Sequence, residues 1–578
     1  MREKTSLQQA YGRFRFAFIA TLVFSFFANT LMFVGPLYML QIYDRVLASR
    51  NENTLLALTV IAIALLVSYG LLEFTRSRLL VRAGLHFDDV LANPVFNRVV
   101  RQQTLNPASG STVALTDIDK LREFLTGQGI LAFFDAIWVP LFLALCFAFH
   151  PWLGWVATSG ALIIFGLALA NELSTRKALQ EAGMAAQSAS HFVNTTMQNA
   201  EVIRAMGMER PLTKRWQARH EEMLANQAKA SGRAGFILAS SKFIRMSLQV
   251  LILGTGAYLA VHREISPGIM VAASIMMGRA LAPVEQSVAQ WKQFVAARQA
   301  HKRLKQLFAL IQDEEERLKL PEPKGQLSAE AVFAVAPGTR EYLLKNIGFS
   351  VAPGEVLAVI GPSGSGKSTL IRHLVGAVPP ASGAVRLDGT ELQHWDPEQL
   401  GRHVGYLPQD VKLFRGSVAE NISRFQDDPA DADIVAAATL AGAHDMIQRL
   451  PQGYETNVGD GGNALSGGQR QRVGLARAVY GNPSVVVLDE PNSNLDSVGE
   501  QALIACIQEL KKRGVTVVLV THKANLLALS DKTLMIVNGT VEKYGPTREI
   551  FKQQAPAGAA GRPAPAVVNI SSPGQAAE

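Results

Sequence analysis

The run Ala17–Leu40 carries no formal charge over 24 consecutive positions. At 1.5 Å of rise per helical residue, about 20 apolar residues cross the hydrocarbon core of a bilayer. A soluble fold would have to bury such a run on every side. Thr54–Leu72 repeats the pattern over 19 positions. Ile130–Phe149 (interrupted by Asp135), Pro151–Ala170, Met246–His262 and Ser266–Val284 extend the series to six candidate spans. Any one of them could be a buried soluble helix, but six in one half of a chain point to a membrane. The first run follows Arg2, Lys4, Arg13 and Arg15, which resembles the basic start of a secretory signal. Its apolar stretch is too long and lacks a small-residue cleavage site, so it reads as a retained anchor.

Composition agrees. Charged residues make up 18% of the 578 positions and hydrophobic ones 48%, whereas soluble chains carry about 25% charged residues. That excludes a disordered protein and argues against a purely soluble one. Cys146 and Cys506 are the two cysteines, too few and too far apart for a disulfide framework or a Cys-based zinc site. A net charge of +8 admits two explanations, nucleic-acid binding or the excess Lys and Arg of cytoplasmic loops. Its distribution favours the second. Glu73–Gly129 holds Arg76, Arg78, Arg82, Arg98, Arg101, Lys120 and Arg122, and Glu172–Arg245 is richer still in basic residues. The loop between the first two spans offsets Arg45 and Arg50 with Asp44 and Glu52. Trp152 and Trp155 flank the tight His150–Pro151 turn as interfacial anchors. Basic segments face the cytoplasm, so both termini are expected there, in a multi-pass protein with membrane lipid around it and no nucleic-acid partner.

The composition changes after Gln306–Ser328, a stretch with an acidic run at Asp313–Glu316 followed by Pro321 and Pro323. Beyond it, short β-rich runs alternate with helical ones, the pattern of a soluble α/β domain. The expected division is a cytoplasmic N-terminus over 1–16, a membrane region over 17–310, a linker over 311–327, an α/β domain over 328–552 and a disordered Ala/Pro/Gly-rich tail over 553–578.

Gly361, Pro362, Ser363, Gly364, Ser365, Gly366, Lys367, Ser368 and Thr369 follow the apolar run Val356–Ile360 and match GxxxxGK[ST]. In that context the glycines let backbone N–H groups curl around phosphate oxygens, with a helix N-terminus adding partial positive charge. Lys367 is expected to reach the β- and γ-phosphates and Ser368 to ligate Mg²⁺. Val485–Glu490 is an apolar strand ending in two carboxylates. Asp489 is expected to hold Mg²⁺, and Glu490 to polarise an attacking water as general base.

Between these motifs lies Leu465-Ser466-Gly467-Gly468-Gln469, followed by Arg470-Gln471-Arg472. It resembles the signature of ATP-binding cassette (ABC) proteins, and the resemblance covers about Leu327 to Phe551. Gln409 in Tyr-Leu-Pro-Gln-Asp, Asn494-Leu495-Asp496 and His522 in Val-Thr-His follow the family order. The resemblance implies that ATP is the nucleotide, that Gln409 senses Mg²⁺ and the attacking water, and that His522 contacts the γ-phosphate. It also implies that Ser466, Gly467, Gly468 and Gln469 complete the ATP site of a second subunit. One phosphate loop and one signature per chain then require a homodimer. The family places an aromatic residue for adenine where this chain has Ala336; Phe333 or Tyr342 is a substitute.

Spans ahead of an ATPase resemble the exporter arrangement, and the implied fold is a six-helix, all-α exporter membrane domain fused to an α/β P-loop ATPase. Thr456–Gly462 and Asn199–Glu209 resemble exporter segments. Tyr43-Asp44-Arg45-Val46, Asp117–Leu125 and Phe134-Asp135-Ala136-Ile137-Trp138-Val139-Pro140 resemble type I protein secretion transporters. The similarity is to the branch that exports proteases, lipases and repeat-in-toxin proteins from Gram-negative bacteria. It implies ATP-driven export of unfolded protein cargo across the inner membrane, with a periplasmic membrane-fusion adaptor and an outer-membrane channel. The chain begins almost directly at the first span, so no leader-trimming domain is expected. An exporter of lipid or small hydrophobic molecules is the alternative. Asp135, Arg279 and Glu285 lie in or near spans and are expected either to line a path or to form inter-helix ion pairs.

Overall fold

A computed structural model of the chain describes residues 6–106, 113–311, 317, 319–336, 339 and 341–552. The tail over 553–578, Pro337-Gly338 and part of the linker lie outside the described residues. The chain divides into two compact units, Met1–Asp313 and Glu314–Glu578.

The first unit is helical. Its elements are α1 (Ser6–Leu31), α2 (Val34–Gln41), α3 (Leu47–Ser49), α4 (Glu52–Leu105), α5 (Val113–Thr126), α6 (Gln128–Ala136), α7 (Val139–Phe149), α8 (Pro151–Met197), α9 (Ala200–Ala205), α10 (Glu209–Val261), α11 (Pro267–Ala289) and α12 (Trp291–Leu310). Among the described residues, five helical stretches are long and apolar enough to cross a membrane, and α6 with α7, bent by 40°, makes a sixth. The bend has a covalent cause. Pro140, near the start of α7, lacks an N–H and its ring crowds the carbonyl of Ala136, so the helix breaks there. Helices α4, α8 and α10 are 54, 47 and 53 residues long. That is roughly 70–80 Å each, of which a bilayer core takes about 30 Å.

The spans differ in what covers them. Half of the apolar window of α11 is buried within the chain, against 6% for α4. Met276, Met277, Ala280 and Leu281 of α11 pack with Phe142, Leu153, Ile164, Leu248 and Ile252. A second core joins α1, α4, α5 and α12 through Phe14, Phe87, Leu91, Phe124, Leu304 and Phe308. Helices α8 and α10 run together. A Cβ on Gly160 would lie 2.4 Å from Leu248 Cδ1, so any larger residue there would have to displace the Leu248 side chain. Further along, Arg233 donates to the Ser174 carbonyl at 2.9 Å.

The charges near the spans are mostly paired. Asp135 on α6 accepts from Arg76 of α4 at 2.6 Å, and from Asn29 and Ser25 of α1 at 3.0 and 3.2 Å. Arg76 also meets Glu73 at 2.7 Å. Glu285 of α11 pairs with Arg245 of α10 at 2.9 Å. Asp135 and Glu285 therefore form inter-helix ion pairs, whereas Arg279 is exposed with no ion pair among the described residues. Asp44, in the wide helical turn Ile42–Val46, accepts from the Ser266 hydroxyl and from Gly268 N–H at 2.9 Å. It thereby caps the start of α11.

The second unit holds β1 (Leu327–Val335), β2 (Tyr342–Val351), β3 (Val356–Ile360), β4 (Ser382–Leu387), β5 (Thr390–Glu391), β6 (Val404–Leu407), β7 (Val485–Asp489), β8 (Thr516–Val520), β9 (Lys532–Val537) and β10 (Thr540–Pro546). They form an antiparallel sheet ordered β2-β1-β4-β5 and a sheet ordered β10-β9-β3-β8-β7-β6. In the second, β9, β3, β8, β7 and β6 are parallel and β10 is antiparallel. Every residue of β7 and β8 is buried, as a parallel sheet covered on both faces requires. Val485 and Val487 face a core with Leu370 and Ile371, while Val486 and Leu488 face one with Val473, Leu503 and Ile507.

Candidate nucleotide site

Strands β3, β8, β7 and β6 lie side by side and in parallel, so their C-terminal ends share one edge. Val359, Val520 and Asp489 stand in register across it. Ligands of open parallel sheets bind outside this edge. The glycine-rich loop follows β3, Thr521-His522 follows β8, Asp489-Glu490 closes β7, and Gln409 lies two residues past β6. Four short segments separated by up to 161 positions are thus brought to one edge by strand order alone.

The loop Gly361–Gly366 turns into α13 (Lys367–Leu374). Gly361 has φ 149° and Gly366 φ 99°. A Cβ on Gly361 would lie 2.1 Å from the Ile536 carbonyl, and one on Gly366 would lie 2.7 Å from Leu344 Cδ2. Pro362, Ser363 and Gly364 are exposed at the tip, and Ser365 is buried. Lys367 is also buried, and its Nζ donates to the Gly361 and Pro362 carbonyls at 2.8 and 2.9 Å. The ammonium thus sits inside the curl of the loop. Thr369 is half-buried in the first turn of α13.

Asp489 is 3% exposed. Burial raises its carboxyl above the ordinary value; a hydrogen bond from Ser368 opposes that, Glu490 adds to it, and Lys367 opposes it. Its Oδ1 is buried with no hydrogen-bond partner. A buried, half-satisfied carboxylate beside a hydroxyl is a donor set for a hard cation that keeps most of its ligands as water and phosphate oxygen. Among the described residues no cluster of three or more His, Cys, Asp or Glu could hold a metal on its own; Ser368 and Asp489 could serve an ion that takes its remaining ligands from water and phosphate, as Mg²⁺ does.

Glu490 adopts φ 49°, a left-handed conformation that costs a non-glycine residue on the order of 1–3 kcal/mol and clusters at functional sites. Its N–H donates to the Val520 carbonyl at 3.1 Å, which pins it to β8. Gln409 Nε2 donates to Glu490 Oε2 at 3.1 Å. His522 is exposed at the same edge.

Ser466 caps the helix Gly467–Val479, in a reciprocal capping box with Gln469. Its N-terminal N–H groups form a ready anion site. A Cβ on Gly468 would lie 2.9 Å from the Asn494 carbonyl, and one on Gly467 would lie 3.3 Å from Asn494 Cβ. Gln471 donates to the Pro491 carbonyl at 3.0 Å, and Arg472 pairs with Asp496 at 3.0 Å. The signature is therefore fastened to the segment that follows Glu490. No hydrogen bond among the described residues links Ser466–Gln469 to Gly361–Thr369.

Ala336 carries no ring. Tyr342 is 55% exposed and packs edge-on against Phe333, with ring centroids 5.8 Å apart. The neighbouring Leu343 carbonyl lies 3.1 Å from the Cβ position of Gly366, so the backbone next to Tyr342 runs beside the phosphate loop. Sequence reasoning missed the partners of Asp135. Arg76 is 59 positions away and left no signal. Thr21, Ser25 and Asn29, spaced four apart inside an apolar run and all buried, were a legible polar stripe.

Residues 344–493 match the family model described as ABC transporter, and residues 18–282 match that of the ABC transporter transmembrane region. The chain is 42% identical over 540 residues to the type I secretion system ATP-binding protein PrsD of Rhizobium meliloti, covering 93% of each. It is 28% identical to the leukotoxin translocation ATP-binding protein LktB of Mannheimia haemolytica, over 93% of this chain and 77% of that one. The solved structure of a bacterial Atm1-family ABC exporter with ATP bound shares the fold, with a TM-score of 0.78 at 22% identity, covering 95% of this chain and 99% of that chain.

Proposed function

From the premise that this chain belongs to the ABC transporter family, in its type I secretion branch, we propose that it exports unfolded protein cargo across the bacterial inner membrane at the expense of ATP. The chain is an ATPase fused to a multi-pass membrane region. The observation that carries the reading is the convergence of Lys367, Asp489, Glu490 and Gln409 on one sheet edge, in a polypeptide that also holds the spans. The 42% identity to a secretion protein supports protein as cargo. Proteases, lipases and repeat-in-toxin proteins are the proposed cargo class, and the likeness to LktB supports it.

In this reading the N–H groups of Gly361–Thr369 bind the phosphates, with Lys367 turning from the loop carbonyls to the β- and γ-oxygens. Ser368, Asp489 and Gln409 hold Mg²⁺, which when bound neutralises charge developing on the phosphate oxygens. Glu490 takes a proton from the attacking water, with Gln409 holding its carboxylate in place. His522 donates to the γ-phosphate. Tyr342, backed by Phe333, supplies the face on which adenine stacks. Ser466, Gly467, Gly468 and Gln469 serve the partner subunit's nucleotide, so two chains related by a two-fold axis share two composite sites. Both termini lie in the cytoplasm. A periplasmic membrane-fusion adaptor and an outer-membrane channel extend the route.

Comparing the secreted proteome of cells with the chain, without it, and with Lys367→Ala tests the proposal. Repeat-rich proteins should vanish from the medium in the latter two. An unchanged secreted proteome would refute the export reading.

A further inference from the structure

Glu490 is held on both sides of its Cα. Its N–H donates to the Val520 carbonyl at 3.1 Å. Its carbonyl accepts twice from Ser493, from the N–H at 3.1 Å and from the hydroxyl at 2.8 Å. The two peptide groups that flank the residue are therefore fixed, and with them the direction in which its carboxylate leaves the backbone. That fixing is needed. A φ of 49° is unfavourable for a residue with a Cβ, and Pro491 pushes the residue before it toward extended backbone. Released, Glu490 would relax to negative φ and carry its side chain away from the sheet edge.

The turn Glu490–Ser493 is anchored to two further segments. Asn492 accepts from the Thr521 hydroxyl at 3.4 Å, next to His522. The Pro491 carbonyl accepts from Gln471 Nε2 at 3.0 Å. Gln471 is 2% exposed, and the other buried residues of the helix Gly467–Val479 are apolar. A methionine or leucine would fill the same face with no amide to desolvate, and a buried neutral hydrogen bond adds little net stability. What the amide can do, and an apolar side chain cannot, is fix where the turn sits against the helix. We propose that Gln471 is a positioning residue for ATP hydrolysis. It holds the Pro491 carbonyl while Ser493 holds the Glu490 carbonyl, and together they aim the Glu490 carboxylate at the attacking water. This rests on the reading of Glu490 as general base and names what sets it in place. Gln471 spends its donor on backbone, so it acts through Glu490 and not on the nucleotide. A misplacement of about 1 Å at a reacting group can cost about 10²-fold in rate.

The test uses the full-length protein in nanodiscs. Gln471→Met and Ser493→Ala should each lower kcat for ATP roughly 10–100-fold, with KM and ATP affinity within about twofold of the parent. Ser493→Thr keeps a hydroxyl and should recover most of the lost turnover. The decisive variant combines Gln471→Met with Glu490→Gln. It should turn over ATP little more slowly than Glu490→Gln alone, because both changes act through one carboxylate. Parental kcat in Gln471→Met would overturn the proposal, as would a loss confined to KM. So would a double variant in which the two losses multiply in full. Should Gln471→Met fail to fold, the Ser493→Ala and Ser493→Thr pair decides, and equal losses in the two would overturn the clamp. Normal turnover in Glu490→Gln alone is a separate failure, that of the base reading.

Discussion

One carboxylate from each unit, Asp135 and Asp489, is partnered in the opposite way. In the membrane unit, Asp135 is satisfied from three sides, by Arg76, Asn29 and Ser25. In the ATPase unit, Asp489 is buried more deeply than Asp135 yet keeps an oxygen with no partner. Next to it, Glu490 is held in a left-handed backbone by the Val520 carbonyl and a single amide. A buried charge whose partners are all present is architecture, because nothing further is needed to stabilise it. A buried carboxylate left short of partners at the ligand edge of a parallel sheet has a coordination site to offer.

That contrast can be broken by substitution. Glu490→Gln removes the base while preserving shape and the Gln409 contact. ATP turnover should fall roughly 10²–10⁴-fold with ATP still bound, and normal turnover would exclude Glu490 as base. Lys367→Ala removes the main counter-charge of the phosphates. Turnover should fall roughly 10²–10³-fold, and ATP binding should weaken with it, as nucleotide titration would show. Asp135→Asn should leave chemistry alone but strand Arg76 in the interior. Thermal or denaturant unfolding should register a loss of about 3–5 kcal/mol, and replacing both partners by leucine should recover most of it. If Asp135→Asn instead abolished transport without destabilising the protein, the distinction between architecture and chemistry would fail. Tyr342→Ala should weaken ATP binding by about 0.5–1.5 kcal/mol and leave triphosphate binding itself intact.

The smallest effect is one of pH. His373 is buried and hydrogen-bonded to the Val378 carbonyl, and burial lowers its pKa below 6.5. The unfolded chain therefore binds this proton more readily than the folded one. Its contribution to stability is complete above pH 6.5 and is lost as pH falls toward the lowered folded value. Melting of the parent should decline on acidification through that window, and His373→Gln should flatten the decline.

The ATPase unit was more legible in the sequence than the membrane unit, and for a physical reason. Phosphate chemistry needs specific residues at short spacing, so Gly361–Thr369 and Asp489-Glu490 can be read directly, and strand order then collects them. Membrane helices need only apolarity, which leaves their partners unspecified. Nothing in the spacing joins Arg76 to Asp135, or Arg245 to Glu285, because helix packing rather than chain proximity brings them together. The 40° break of α6 and α7 was legible in principle, since Pro140 forbids a straight span. The aromatic face at Tyr342 depends on how β1 and β2 pair, and register is fixed by the whole sheet.

Gly160 and Leu248 clasp α8 to α10 within the apolar stretch, and Arg233 ties them again further out. Two rods fastened at two points cannot splay. A displacement of their far tip, around Asn199–Met208, would then carry both helices together more readily than either alone.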